Sequence, residues 1–213
     1  MRYCSTYLWE KGKDEENSLS LMLQQVRVAK RSVLFACICG LEKSISGRFS
    51  EALVEWFHRE ALTLLERKGS MQELERSLER EVNEVKREIA QYRQKNPGEK
   101  KLEYAGILMV EQWFCLFGEG DMQVYLVNRR FNRKSMRTVA RAEKQYSGEI
   151  QKKVGLLLCT PDFMKGMELG EVAQLLMPEG EIKEERMQKR LQELWEVRKE
   201  TSGNTAVVYL RTY

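Results

Sequence analysis

Apolar residues recur at steps of three and four from Met71 through Leu74, Leu78, Val82, Val85 and Ile89 to Tyr92. No other periodicity in the chain is as sustained, and it commits about six turns to one amphipathic helix. A preceding stripe of Phe49, Leu53, Trp56, Phe57, Leu64 and Leu65 predicts a helix that starts near Ser46. Gly69-Ser70 separates the two stripes, and Asn96-Pro97-Gly98 ends the second. Two helices with so short a link pack antiparallel, so a helix pair is expected over about 46–95. A dimeric coiled coil is the alternative. The stripe lasts only about three heptads, which favours a helix facing its own sheet.

Strands surround this pair. Leu19 to Val28 and Ser32 to Cys39 precede it, the latter apolar without interruption, as befits a strand covered on both faces. Tyr104 to Val110, Gln112 to Phe117 and Gln123 to Val127 follow it, with turn chemistry at Gly118-Glu119-Gly120-Asp121. Val154 to Thr160 is a further buried strand. Helices are expected at Glu168 to Leu176 and Glu181 to Lys199, and a last strand at Thr205 to Leu210. Strands and helices in segregated runs imply an α+β layered fold, in one domain over 1–213, and not alternating βαβ units. The tract 128–153 is polar with few apolar anchors, and it is expected to be a solvated loop.

Charge narrows the function classes. Basic residues number 36 and acidic residues 32, a net charge of +4, which demands no nucleic-acid partner. Arg129, Arg130, Arg133, Lys134, Arg137 and Arg141 do form a basic run, a candidate interaction surface. Its aromatic interleaving is thin, so nucleic acid ranks below protein as its partner. The N-terminal stretch has no apolar segment of the secretory kind, and apolar runs such as Val33 to Cys39 are too short to span a membrane. A cytoplasmic protein with no membrane partner is the expectation. The five cysteines, Cys4, Cys37, Cys39, Cys115 and Cys159, mostly sit in strand-like runs as small hydrophobes. A zinc site would need a second ligand pair, and His58 is the sole histidine.

Five short motifs in order resemble those of the metal-dependent protein phosphatases of type 2C. Gly12-Lys13-Asp14-Glu15-Glu16-Asn17-Ser18-Leu19 resembles Gly-x-Arg-x-x-Asn-(Glu/Gln)-Asp, with Asp14 for the phosphate-binding arginine and Leu19 for a metal-binding aspartate. Val33 to Gly40, running into Leu41-Glu42-Lys43, is similar to the bacterial strand that enters Asp-Gly-x-Gly-Gly, and its aspartate position falls on Cys39 or Ala36. Gly120-Asp121-Met122-Gln123 resembles Gly-Asp-Ser-Arg. Thr160-Pro161-Asp162 resembles Ser-Asp-Gly, with Pro161 for the aspartate. Gly203-Asn204 resembles Asp-Asn, with Gly203 for the aspartate.

The resemblance implies a four-layer α-β-β-α sandwich, two antiparallel sheets flanked by pairs of long helices. It also implies hydrolysis of a phosphomonoester by two Mn or Mg ions that share a bridging water. Such hard cations need oxygen ligands, which Leu19, Cys39, Pro161 and Gly203 do not supply. Asp14 would repel a phosphate that an arginine would clamp. The expectation is therefore a catalytically inactive relative with no metal or other cofactor, acting through a protein partner. The alternatives are an active phosphoprotein phosphatase whose Asp14, Asp121 and Asp162 regroup around Mn or Mg, and a nucleic-acid binder using residues 129–144.

Overall fold

Apolar residues on both faces of the middle strands require cover on both sides, and the fold supplies it in layers. The structure, a computed structural model, describes residues 3–10, 19–40, 43–95, 101–130, 133–141, 146–177, 183–197 and 203–213; side chains at 43–44, 129–130 and 133–141 lie outside the description. Strands β1 (Tyr3–Glu10), β2 (Leu19–Val28) and β3 (Arg31–Gly40) come first. Helix α1 (Lys43–Trp56) continues through a π turn (Phe57–Ala61) into α2 (Leu62–Glu66), and α3 (Met71–Lys95) returns beside them. Strands β4 (Glu103–Val110), β5 (Trp113–Glu119), β6 (Gln123–Arg130), β7 (Arg133–Arg141), β8 (Tyr146–Glu149) and β9 (Gly155–Cys159) follow. Helices α4 (Pro161–Met164), α5 (Leu169–Leu176) and α6 (Glu184–Glu196) lead to β10 (Thr205–Thr212).

The strands form two antiparallel five-stranded sheets. The first has the order β1-β10-β9-β6-β7 and the second β2-β3-β4-β5-β8. Between them lies a core of Leu34, Ala36, Ile38, Ile107, Met109, Leu156, Leu158, Val208 and others. The opposite face of the second sheet packs Phe35, Cys37, Leu108 and Cys115 against Phe49, Trp56, Leu74, Leu78, Val82, Val85 and Ile89 of the α1–α3 layer. The opposite face of the first packs Tyr125, Leu157, Val207 and Tyr209 against Phe163, Val172, Leu176, Met187 and Leu191 of the α4–α6 layer. The four-layer sandwich follows, with the α3 stripe spent on its own sheet as its length implied.

The helix pair is antiparallel, since Arg48 lies over the ring of Tyr92, Trp56 donates from Nε1 to Ser77 Oγ at 2.8 Å, and Arg59 meets Glu81. Ser77 Oγ donates in turn to Glu60 at 2.6 Å, and Arg80 bridges the same carboxylate. Buried polar groups thus find partners where the π turn meets α3. Ser70 and Glu73 exchange bonds, Glu73 N–H to Ser70 Oγ at 3.2 Å and Ser70 N–H to Glu73 Oε2 at 2.8 Å, a capping box that starts α3.

One expectation fails here, and one strand comes unanticipated. The tract 128–153 is not a loop throughout, because β6 runs on to Arg130 and β7 pairs with it from Arg133 to Arg141. Long cations suit an edge strand, which needs one covered face and gains protection from charge on the other. Val139 is the extra residue of a bulge in this pairing, between the partners of Val124 and Tyr125. The polar composition of β1, half of it Cys, Ser, Thr and Glu, hid a strand that pairs with β10 over its full length. Among the described residues, no helix is long and apolar enough to cross a membrane.

Glycine positions give a test of this packing. A Cβ at Gly106 would stand 2.1 Å from Phe117 Cζ, whereas one at Gly47 in α1 would meet nothing within 4 Å. Gly106→Ala should lower unfolding stability by about 1–3 kcal/mol through overpacking. Gly47→Ala should raise it by up to about 1 kcal/mol through helix propensity. Urea denaturation of the two variants checks both signs.

Candidate functional site

Antiparallel pairing brings the ends of distant segments together. β2 begins where β3 ends, with Leu19 opposite Gly40, and Gly40 also faces Glu103 at the start of β4. In the other sheet β9 ends beside the start of β10, and Gln123 at the start of β6 stands opposite Cys159. The two ends are joined by Met122, whose Cε would lie 3.0 Å from a Cβ on Gly40, with Leu19 Cδ2 at 3.1 Å. One end of the sandwich therefore gathers Leu19, Gly40, Gly120-Asp121, Thr160-Pro161-Asp162 and Gly203-Asn204. Gly12, Asp14, Glu15, Glu16 and Asn17 of the first motif lie outside the described residues, as do Leu41 and Glu42.

Strand alternation decides which side chains look into this end. Cys37 and Cys39 face the α1–α3 layer, and Ala36, Ile38 and Gly40 face the sister sheet. Cys39 is thus turned away, and Ala36 lies two repeats deeper in the core than Gly40. The inward position at the end of β3 is Gly40, covered by Leu19 and Met122. These two are 9% and 3% exposed, so this part of the site is apolar and closed. Burial pushes the Cys39 and Cys159 thiols up, which keeps both protonated and inert.

The sheet-end loops are held by their own backbone. Thr160 N–H donates to Ala206 O at 3.0 Å, and Ala206 N–H donates to Thr160 Oγ1 at 3.3 Å. Thr205 Oγ1 donates to Gly203 O at 3.1 Å. Thr160, Asn204 and Thr205 are all buried. Pro161 then opens α4 at its first turn, where a missing N–H costs nothing.

Asp121 and Asp162 have different neighbours. Asp162 lines an open cavity of about 320 Å³ with Gln123, Tyr125, Met164, Lys165 and Met167, and Tyr125 belongs to the helix-facing side of its sheet. Asp121 sits beside Glu103 of the other sheet and donates its backbone N–H to that carboxylate. Burial, and then the charge of Asp121, raises the Glu103 pKa above the ordinary carboxylate value. A folded-state value above the unfolded one contributes stability that is full below the ordinary carboxylate range and is lost as pH rises through the folded value. Glu103, and Tyr125 and Lys165 in the cavity wall, escaped the sequence reading, since no motif spacing links them. Met122 is a motif position, but its role as cover for Gly40 needs the register.

No protein-family model matches the sequence, and no curated protein is recognisably similar to it. Solved structures are similar in fold. A bacterial serine phosphatase carrying a point mutation superposes with a TM-score of 0.78 at 14% identity, over 100% of this chain and 99% of its own. The serine/threonine phosphatase Stp1 from Staphylococcus aureus gives 0.74 at 13% identity, over 100% and 96%. The catalytic domain of the serine/threonine protein phosphatase PstP, in complex with 2 manganese ions, gives 0.69 at 15% identity, over 98% and 97%. The chain has the fold of the metal-dependent serine/threonine phosphatases, as the ordered motifs implied.

A binuclear Mn or Mg centre does not fit the described side chains at this end. Leu19, Met122 and Pro161 present carbon and sulfur, and Gly40 and Gly203 present no side chain, whereas such ions require several oxygens. Among the described residues no three His, Cys, Asp or Glu side chains converge as metal ligands do.

Gly120 tests the geometry that holds Asp121. Its φ is +87°, and a Cβ there would stand 2.6 Å from Glu103 Cγ. Gly120→Ala should cost about 1–3 kcal/mol from left-handed backbone strain plus displacement of Glu103. Thermal or urea unfolding at neutral pH reads it.

Proposed function

We propose that this chain is a phosphatase fold without phosphatase chemistry, a regulator that acts by binding another protein. The observation that carries the reading is the apolar closure of Gly40 by Leu19 and Met122 at the end of the sandwich where the motifs gather. Placing a divalent ion there would strand its charge against carbon and sulfur, at a cost far above what one or two waters offset. Among the described residues no three acidic, histidine or cysteine side chains converge, which also argues against a regrouped centre.

A fold relieved of chemistry keeps its surface. The basic run on β6 and β7, from Arg129 to Arg141, is the proposed partner surface; its side chains lie outside the described residues, and only its backbone hairpin is placed. A cationic edge strand of this kind suits an acidic protein partner.

Hydrolysis of a generic aryl phosphate with added Mn or Mg should stay at the buffer rate, and calorimetric titration with Mn should give no heat beyond dilution. Metal-dependent turnover that vanishes in Asp121→Ala or Asp162→Ala would replace this reading with the active-phosphatase one. Affinity capture from the native cell should lose its specific partner when Arg133, Lys134 and Arg137 are changed to Glu; an unchanged captured set would remove the basic run from the binding surface.

A further inference from the structure

Among the four strands that end the two sheets, β1 stands apart. β2 carries the exposed Arg27, β7 carries Arg133, Lys134, Arg137 and Arg141, and β8 has only 4 residues; each is an ordinary guard against pairing with a foreign strand. β1 has 8 residues with no lysine, arginine or proline, and its register with β10 runs without a bulge from Tyr3 to Glu10. Among the described residues its other edge pairs with nothing.

Alternation places its side chains. Tyr3 lies in the core between the sheets, and Ser5 Oγ donates to Gln25 Oε1 of β2 at 3.0 Å, so Tyr7 and Trp9 point to the same side. The sister sheet does not cover them. Tyr7 is 51% and Trp9 50% exposed, while Leu21 and Leu23 on β2 are only half-buried against the inter-sheet core. Thr6 and Leu8 face the other way, Thr6 bonding Gln188 of α6 and Leu8 fully packed beneath the helices. The result is an unguarded edge whose exposed side chains are two aromatics flanking Leu8.

That pattern is complementary to itself. An antiparallel strand with its two-fold axis at Leu8 sets Tyr7 opposite Trp9 of the second copy, and Trp9 opposite the other Tyr7. Directly opposed aromatics are among the most favourable cross-strand pairs. Charge agrees with this register. Glu10 is the one charged residue of β1, and it would stand opposite Thr6 rather than a second Glu10. We propose that β1 pairs antiparallel with β1 of a second copy, centred on Leu8, which joins the first sheets of two chains into one and covers Tyr7, Trp9, Leu21 and Leu23. The contact is isologous and closes at two copies. It stands apart from the reading of the phosphatase-like end, and no metal or substrate enters it.

Sedimentation of the full chain over a dilution series tests it. A dimer that dissociates on dilution is expected. Tyr7→Lys and Trp9→Lys, both at half-exposed positions, should raise its dissociation constant about tenfold or more by removing the aromatic pairs and adding an edge charge. Tyr146→Lys, an equally exposed aromatic on β8, should leave it unchanged. Circular dichroism of each variant shows whether it is folded. The register has its own readout. In a Cys4→Ser background, Tyr7→Cys chains mixed with Trp9→Cys chains should form an interchain disulfide on oxidation, because directly opposed residues match disulfide spacing. A monomer at all concentrations up to about 0.1 mM overturns the proposal, as does a dimer indifferent to both lysine variants.

Discussion

Period-two alternation in the central strands governs the rest of this structure. Once Ile38, Ile107, Leu158 and Val208 are committed to the space between the sheets, each neighbouring residue along these strands is committed to a helical layer. β3 shows the force of this. Phe35 and Cys37 are held outward by Phe49, Trp56 and Phe57, so Cys39 is held outward too, whatever chemistry its thiol might offer. The end of the sandwich is then furnished by the other parity, and there the chain has Gly40, Leu19 and Met122. The site is apolar because the residues of the correct parity are apolar, and no rotamer change brings Cys39 into it.

The fold was legible wherever periodicity was long or unbroken. The α3 stripe, the helix before it and the continuous runs of β3 and β9 carry enough burial to leave one solution. The strands that escaped were the edges. β1 mixes Cys, Ser and Thr into its alternation, and β7 spreads long cations along it, because an edge strand has one covered face and weak compositional demands. Order along the chain, rather than any single motif, carried the resemblance to the phosphatases. That order reflects which strand ends meet, a property that survives at identities near 14% when individual ligands do not.

The site was legible as a set of losses and illegible as a surface. Leu19, Pro161 and Gly203 could be read as missing carboxylates through the resemblance of their motifs to those of the phosphatases. The assignment between Cys39 and Ala36 required the register, since a shift of one residue reverses the face and the motif's shortened turn gave no anchor. Glu103 could not be found from the sequence, for it reaches Asp121 across β4 and β5 through a glycine in left-handed conformation. Sequence spacing encodes neighbours along a strand well and neighbours across a turn poorly.

The π turn at Phe57–Ala61 has a consequence for how this helix layer can vary. The N–H of Leu62 reaches back to the carbonyl of Phe57, one residue further than an α-helix allows. That surplus residue resets the phase of everything after it. Trp56 and Phe57 are adjacent in sequence yet both fully buried, and Ala61 and Leu65 fall in line behind Phe57 rather than Trp56. The helix in effect carries two consecutive inward stripes spliced at this point, the first ending on Trp56 and the second beginning on Phe57. Shortening the splice by a single residue would give a more regular helix and a worse protein, because it would swing Leu65 off the sheet and carry Glu60 away from Ser77. Length in this segment is therefore fixed by the sheet beneath it, and exchanges of side chain are far better tolerated there than changes of residue number.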